Sequence, residues 1–172
     1  PEIPETIEQT VAVAKASFEA GAGALHAHVR DKNLDHVLDV GLYRELIAEM
    51  QRQVPDMLVQ ITTEAVGRYS ASFQRAMVRE LMPSQVSAGL RELVSDGDLD
   101  EARRFYHWAQ EANVGIQHIL YSDDDLVEFT RLSEQQVIPT PPVDNPYELL
   151  FVLGRYTEGQ QSSPADIEPF LE

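Results

Sequence analysis

Apolar residues recur along the chain with two periods, and stretches of the two periods alternate. Ile7, Val11, Ala14 and Phe18 stand three or four apart, the spacing of one helix face, which predicts a helix over 6–20 behind Pro4. Gly21-Ala22-Gly23 stops it, and a short apolar strand is predicted over 24–29. Leu42, Leu46 and Met50 mark a second helix over 40–53, ended at Pro55-Asp56, and 57–63 reads as the next strand. Helices over 70–81, 98–112 and 123–136 alternate with strands over 85–88, 115–121 and 149–153, and a further helix is expected to start at Pro164.

Strict helix–strand alternation implies βα units around a parallel sheet. The strands are short and apolar, as expected when both sheet faces are covered. No dinucleotide-binding fingerprint follows the first strand, because Val29-Arg30-Asp31-Lys32-Asn33 contains no glycine. The expected fold class is therefore α/β, a (β/α)8 TIM barrel, with residues 1–172 forming one domain. Five strands do not close a barrel of eight, and a full barrel takes about 250 residues. The chain is thus expected to be part of a barrel, the alternative being an open α/β sheet. Its start at Pro1, without a Met, points to a chain trimmed from a longer one.

Composition removes several functions. Hydrophobic residues make up 43% of the chain, enough for a sizeable core. The formal charge is −16, which repels phosphate backbones and argues against nucleic acid as a partner. These charges are scattered over apparent helix faces, where they serve solubility. With no cysteine, disulfides and thiolate metal ligands are excluded. No apolar run approaches about 18 residues, so no membrane partner is expected. The acidic start, Pro1-Glu2-Ile3-Pro4-Glu5, has no signal-peptide core, and a cytoplasmic location fits.

The stretch that carries most chemistry is His26-Ala27-His28-Val29-Arg30-Asp31. Side chains alternate along a strand, so His26 and His28 face one way while Leu25, Ala27 and Val29 face the other. Two imidazoles on one face can take adjacent positions on one metal ion, with Zn2+ the first expectation. Barrel active sites form at strand C-terminal ends, and polar residues gather there. Strand two offers Gln60, Thr62, Thr63 and Glu64; later segments offer Ser87, Arg91, Glu92, His118, Tyr121, Ser122, Arg155 and Tyr156. Plainer readings stand beside these. Thr62-Thr63 suits a strand on propensity alone. Asp31 either orients a histidine or caps the following loop. His118 reads as a core histidine, and His36 and His107 as surface residues. Asp123-Asp124-Asp125 lacks EF-hand spacing and reads as a helix cap and dipole partner. A catalytic zinc usually takes three protein ligands, and no third presents itself.

On these residues the chain resembles the β-keto acid cleavage enzyme family, formerly a domain of unknown function. The stretch from Glu19 to Asp31 is similar to that family's zinc segment. Val59-Gln60-Ile61-Thr62-Thr63 is similar to its next strand, with Glu64-Ala65 where the family often has two glycines. Ser87-Ala88-Gly89-Leu90-Arg91-Glu92-Leu93, Gln117-His118-Ile119-Leu120-Tyr121 and Leu150-Phe151-Val152-Leu153-Gly154-Arg155-Tyr156 resemble one subgroup. The resemblance implies a zinc-dependent (β/α)8 barrel, usually a homo-oligomer, of which this chain covers about strands two to six. It implies condensation of a β-keto acid with acetyl-CoA, giving acetoacetate and a new acyl-CoA. Carried over, His26 and His28 are zinc ligands, Thr62 and Ser87 catalytic, and Thr63, Arg30 and Arg155 substrate-binding. The family's third ligand is a Glu on a late strand, expected beyond Glu172.

Two other readings stay open. Amidohydrolase-like zinc hydrolases also begin with H-x-H on a barrel strand. Many carry a bridging carboxylated lysine on a middle strand, whereas the lysines here, Lys15 and Lys32, lie on no later strand. The chain could also be a non-catalytic, metal-binding piece of a barrel.

Overall fold

In a computed structural model that describes residues 3–154 and 158–171, the main helices begin where a short polar side chain can cap them. Thr6 accepts a hydrogen bond from the Gln9 amide ahead of α1 (Ile7–Glu19), and Asp39 accepts from Leu42 ahead of α2 (Val40–Gln53). Ser70 does so ahead of α3 (Ala71–Leu81). A single turn, α4 (Leu90–Leu93), was not anticipated from the sequence. Asp98 caps α5 (Leu99–Glu111) and Ser122 caps α6 (Asp123–Glu134). Each cap satisfies an amide that the first helical turn leaves unpaired, worth about 1 kcal/mol. The Asp123-Asp124-Asp125 run forms the first turn of α6, as expected of dipole partners.

Between the helices run β1 (Ala24–Ala27), β2 (Leu58–Thr62), β3 (Gln85–Gly89), β4 (Gly115–Leu120) and β5 (Glu148–Phe151). They pair in sequence order, and every pairing is parallel. The sheet is a curled half-barrel, the partial (β/α)8 architecture expected from the alternation. Most boundaries fall within two residues of expectation, and two differences bear on the site and the tail. β1 ends at Ala27, so His28 lies just past the strand. The segment from Pro164 is a 3-10 helix to Phe170, not an α-helix; Pro169 inside it supplies no amide donor.

Register decides which side chains share a face. His26 pairs with Gln60, Gln60 with Gln85, Thr62 with Ser87, and Ser87 with Gln117. These residues line the inner face. The alternating set, Ala27, Ile61, Val86, Ala88 and Leu120, is buried under the helices against Val11, Tyr43, Leu46, Phe105 and Leu132. The core is thus the space between sheet and helices, and the inner face is left for polar residues.

Among the buried charged or titratable groups, Arg75 and His118 bear most on stability. Arg75 is 2% exposed and donates to Leu93 O and to the Asp96 carboxylate, which holds Asp96 below its usual range. His118, on the buried side of β4, packs between Tyr106 and Phe129 at ring-centroid distances of 5.5 and 5.0 Å. It is the core histidine that its setting in the sequence suggested. Burial lowers its pKa from 6.5 to about 4, against a smaller opposing effect of the Glu148 backbone.

Two stability predictions follow from these groups. Asp96→Ala leaves a buried guanidinium without its carboxylate and is expected to cost about 3 kcal/mol, read from urea unfolding at neutral pH. The folded pKa of His118 lies below the unfolded value, so the unfolded chain binds the extra proton first. Its stabilisation is complete above pH 6.5 and is lost as pH falls towards about 4. His118→Phe is expected to flatten the stability profile in that window by up to about 3 kcal/mol. An unchanged profile contradicts this.

Candidate metal centre

The end of β1 and the loop behind it bring three histidines together. After Ala27 the chain makes a hairpin: Arg30 bridges His36 antiparallel, Val37 N donates to Val29 O, and Asp31 N donates to Asp35 O. Asp31 Oδ1 accepts from the amides of Asn33 at 2.8 Å and Asp35 at 3.1 Å. Asp31 is therefore the loop cap of the two roles open to it. The hairpin returns His36 against His28, with ring centroids 4.6 Å apart. His36 is thus not the surface residue expected. It is half-buried, and its Nε2 bonds Glu64 O at 3.1 Å.

The two expected ligands meet as strand parity requires. His26 Nε2 and His28 Nε2 lie 3.2 Å apart. Two imidazole nitrogens on one tetrahedral zinc, each about 2.0–2.1 Å from the ion, are separated by about 3.3 Å. The pair has the spacing of two ligands of one ion. Their other nitrogens point to acceptors. His26 Nδ1 lies 2.8 Å from Gln60 Oε1, and His28 Nδ1 lies 3.9 Å from Glu64 Oε2. With Nδ1–H donating to Gln60, the Nε2 of His26 carries a lone pair. Such outer acceptors fix the tautomer and orientation of metal-binding histidines. Gln60 is held in turn, its Nε2 donating to Gln117 Oε1 at 3.4 Å.

The electrostatics favour an unprotonated His28. His28 is lowered from 6.5 to about 4, first by burial and then by His36, His26 and Arg30. Its ring is neutral at neutral pH. A neutral imidazole can offer its Nε2 lone pair to a metal while its one proton sits on Nδ1, so at neutral pH His28 needs to lose no proton to bind. Among the described residues no group of three His, Asp or Glu side chains converges on one point. Glu64 faces His28 from the Nδ1 side, away from the Nε2 pair.

The other candidates are placed as follows. Thr62 and Ser87 are register partners at the same end of the sheet, each 1% exposed. Thr62 Oγ1 accepts from Glu64 N at 3.1 Å, while Ser87 Oγ is buried without a partner. Thr63 is buried, and its hydroxyl donates to Ser87 O at 3.3 Å. Arg30 Nη1 donates to Leu34 O at 2.8 Å, inside its own hairpin. Arg155 lies outside the described residues. Gln60 had been noted only as a polar residue of its strand; the parallel register, invisible in the sequence, sets it beside His26. For His36 a signal existed: Asp31 and Asn33 are turn-forming residues that fold the loop back.

Comparison with known proteins places these features in a family. The family profile described as beta-keto acid cleavage enzyme matches residues 1–172. The chain is 30% identical over 88 residues to a 3-keto-5-aminohexanoate cleavage enzyme of Fusobacterium nucleatum, covering 51% of this chain and 32% of that protein. It is 28% identical over 87 residues to a 3-oxoadipate:acetyl-CoA acetyltransferase of Cupriavidus necator, covering 51% and 30%. A 3-keto-5-aminohexanoate cleavage enzyme of Acetoanaerobium sticklandii is 31% identical over 68 residues, covering 39% and 25%. The chain spans about a third or less of the length of these relatives.

The arrangement of Nδ1 acceptors yields a test of its own. Gln60→Leu is expected to weaken Zn2+ binding by about 10- to 100-fold, measured by competition with a chromophoric chelator, with the far-ultraviolet circular dichroism unchanged. Affinity equal to that of the unaltered chain contradicts a role for Gln60 in orienting His26.

Proposed function

Since the chain belongs to the beta-keto acid cleavage enzyme family, we propose that it takes part in acetyl-CoA-dependent cleavage of a β-keto acid, giving acetoacetate and a new acyl-CoA. The observation that carries this reading is the convergence of the His26 and His28 Nε2 atoms at 3.2 Å, with both Nδ1 atoms turned to outer acceptors. We propose His26 and His28 as zinc ligands. The names of the curated relatives, a keto-acid cleavage enzyme and an acetyl-CoA acetyltransferase, support small-molecule substrates of those two kinds. A cytoplasmic homo-oligomer belongs to the same proposal and rests on the family resemblance. No described helix is long and apolar enough to cross a membrane.

In this reading the bound ion supplies Lewis-acid polarisation of the keto group. The chain's own residues do the rest. Ser87 Oγ, buried and unpaired, is the free hydroxyl available to hydrogen-bond substrate oxygen as negative charge develops there. Thr62, its register partner, places a second hydroxyl beside it, bonded to the Glu64 amide in the ligand-free chain. Thr63 would support substrate binding by holding the end of β2 to Ser87 O. Arg30 keeps donors beyond the one spent on Leu34 O, and with Arg155 would supply positive charge for a carboxylate. Local cations are needed because the chain as a whole carries −16.

The test combines metal analysis with an assay of acetoacetate release from a β-keto acid and acetyl-CoA. His26→Ala and His28→Ala are expected to abolish stoichiometric zinc with little change in fold. Zinc retained in both variants would sink the assignment. Ser87→Ala is expected to lower kcat by about 100-fold with zinc content unchanged. Metal-dependent hydrolysis without acetyl-CoA would instead support the amidohydrolase-like reading.

A further inference from the structure

Barrel interiors are normally filled by bulky branched side chains. The inner face of this sheet instead presents Gln60, Gln85 and Gln117 from β2, β3 and β4, all half-buried. Polar groups withdrawn from water cost free energy unless they are bonded, so three glutamines on one face call for a reason. They are arranged around one contact. Gln60 Nε2 donates to Gln117 Oε1 at 3.4 Å, although β3 stands between their strands. Strands two apart are about 9.6 Å distant, so both side chains must reach across β3. The path over β3 is clear. Ser87, the register partner of Gln117, is small. Gln85, the register partner of Gln60, leans over β4, where a Cβ at Gly115 would lie 2.4 Å from its amide; glycine makes that room.

The Gln60–Gln117 bond is long, so its worth lies in direction more than in strength. A primary amide carries an acceptor and donors on one planar end, and turning it over exchanges them. With Oε1 towards His26, Gln60 accepts from Nδ1–H, and His26 Nε2 keeps its lone pair. Turned over, Gln60 would donate to Nδ1 instead. The ring proton would then sit on Nε2 and block that nitrogen as a metal ligand. The other half of the amide decides between the two orientations. There it meets Gln117 Oε1, an acceptor, which suits the Gln60 NH2 and repels the Gln60 oxygen.

We propose that Gln117 is a positioning residue for the centre: it holds the Gln60 amide in the orientation that keeps His26 in its Nδ1–H tautomer. Its consequence for zinc rests on His26 being a ligand, whereas the tautomer is read without metal. In the metal-free chain the 15N nuclear magnetic resonance shifts of the His26 ring are expected to report Nδ1–H as the single neutral form. Gln117→Leu removes the acceptor, and the same shifts are expected to move to an average of the two neutral forms. Gln117→Met, nearer to glutamine in shape, is expected to do the same and serves if the leucine variant does not fold. Zn2+ affinity is expected to fall by about tenfold in either variant, the lower end of the loss when an outer partner of a metal ligand is removed. In the Gln60→Leu background, Gln117→Leu is expected to cause no further loss, because Gln117 acts through Gln60. An Nε2–H form in the unaltered chain overturns the proposal, as does an unchanged tautomer in the Gln117 variants. A lowered urea midpoint with the tautomer unchanged would make Gln117 a structural residue only. Unchanged Zn2+ affinity in the Gln117 variants, or an equal loss in the Gln60→Leu background, also overturns it. If the unaltered chain binds no zinc, the ligand assignment of His26 and His28 fails, while the tautomer shifts still decide the role of Gln117.

Discussion

The parallel register of β1 on β2 is the constraint on which the candidate centre depends. It sets Gln60 beside His26, so that the amide oxygen accepts a hydrogen bond from Nδ1–H and the Nε2 lone pair is turned to His28. A slip of one residue would bury the histidines among the helices and present Leu25 and Ala27 to the inner face. Burial of Ala27, Ile61 and Val86 in the core is what forbids that slip. The hydrophobic pattern, which says nothing about metals, thus fixes the geometry of the two histidines. The hairpin after β1 brings His36 against His28, and Glu64, just past β2, faces the outer nitrogen of His28.

The two faces of the sheet differ in character. On the inner face the polar groups engage one another, in the chain His28–His26–Gln60–Gln117. On the helix side, Tyr106 and His118 are buried and stack on each other. His118 is neutral because of its burial, whereas His28 is neutral through burial together with neighbouring His36, His26 and Arg30.

Much of the fold was legible in the sequence because two periods alternate along it. The helices at 7–19, 40–53 and 99–111 lie within one residue of the spans predicted for them, and their caps, Thr6, Asp39 and Asp98, come from the structure. The turn at Leu90–Leu93 was not legible, since four residues are too few to show a 3.6-residue period. Of the centre, His26 and His28 were visible from parity alone, and the family from the motif around them. Gln60 and His36 owe their places to strand register and to a hairpin, which link residues far apart in sequence or turned back on themselves. The plainer reading of Asp31, a loop cap, is the one its bonds to Asn33 and Asp35 support.

The central claim is that one metal ion binds the facing Nε2 atoms of His26 and His28. X-ray absorption at the zinc edge of the metal-loaded protein tests it most directly. The account predicts imidazole scattering from two histidines with Zn–N distances of about 2.0–2.1 Å. That signal is predicted to vanish when His26 and His28 are both replaced by alanine. A zinc shell without histidine nitrogen, or an unchanged shell in the double variant, would contradict it.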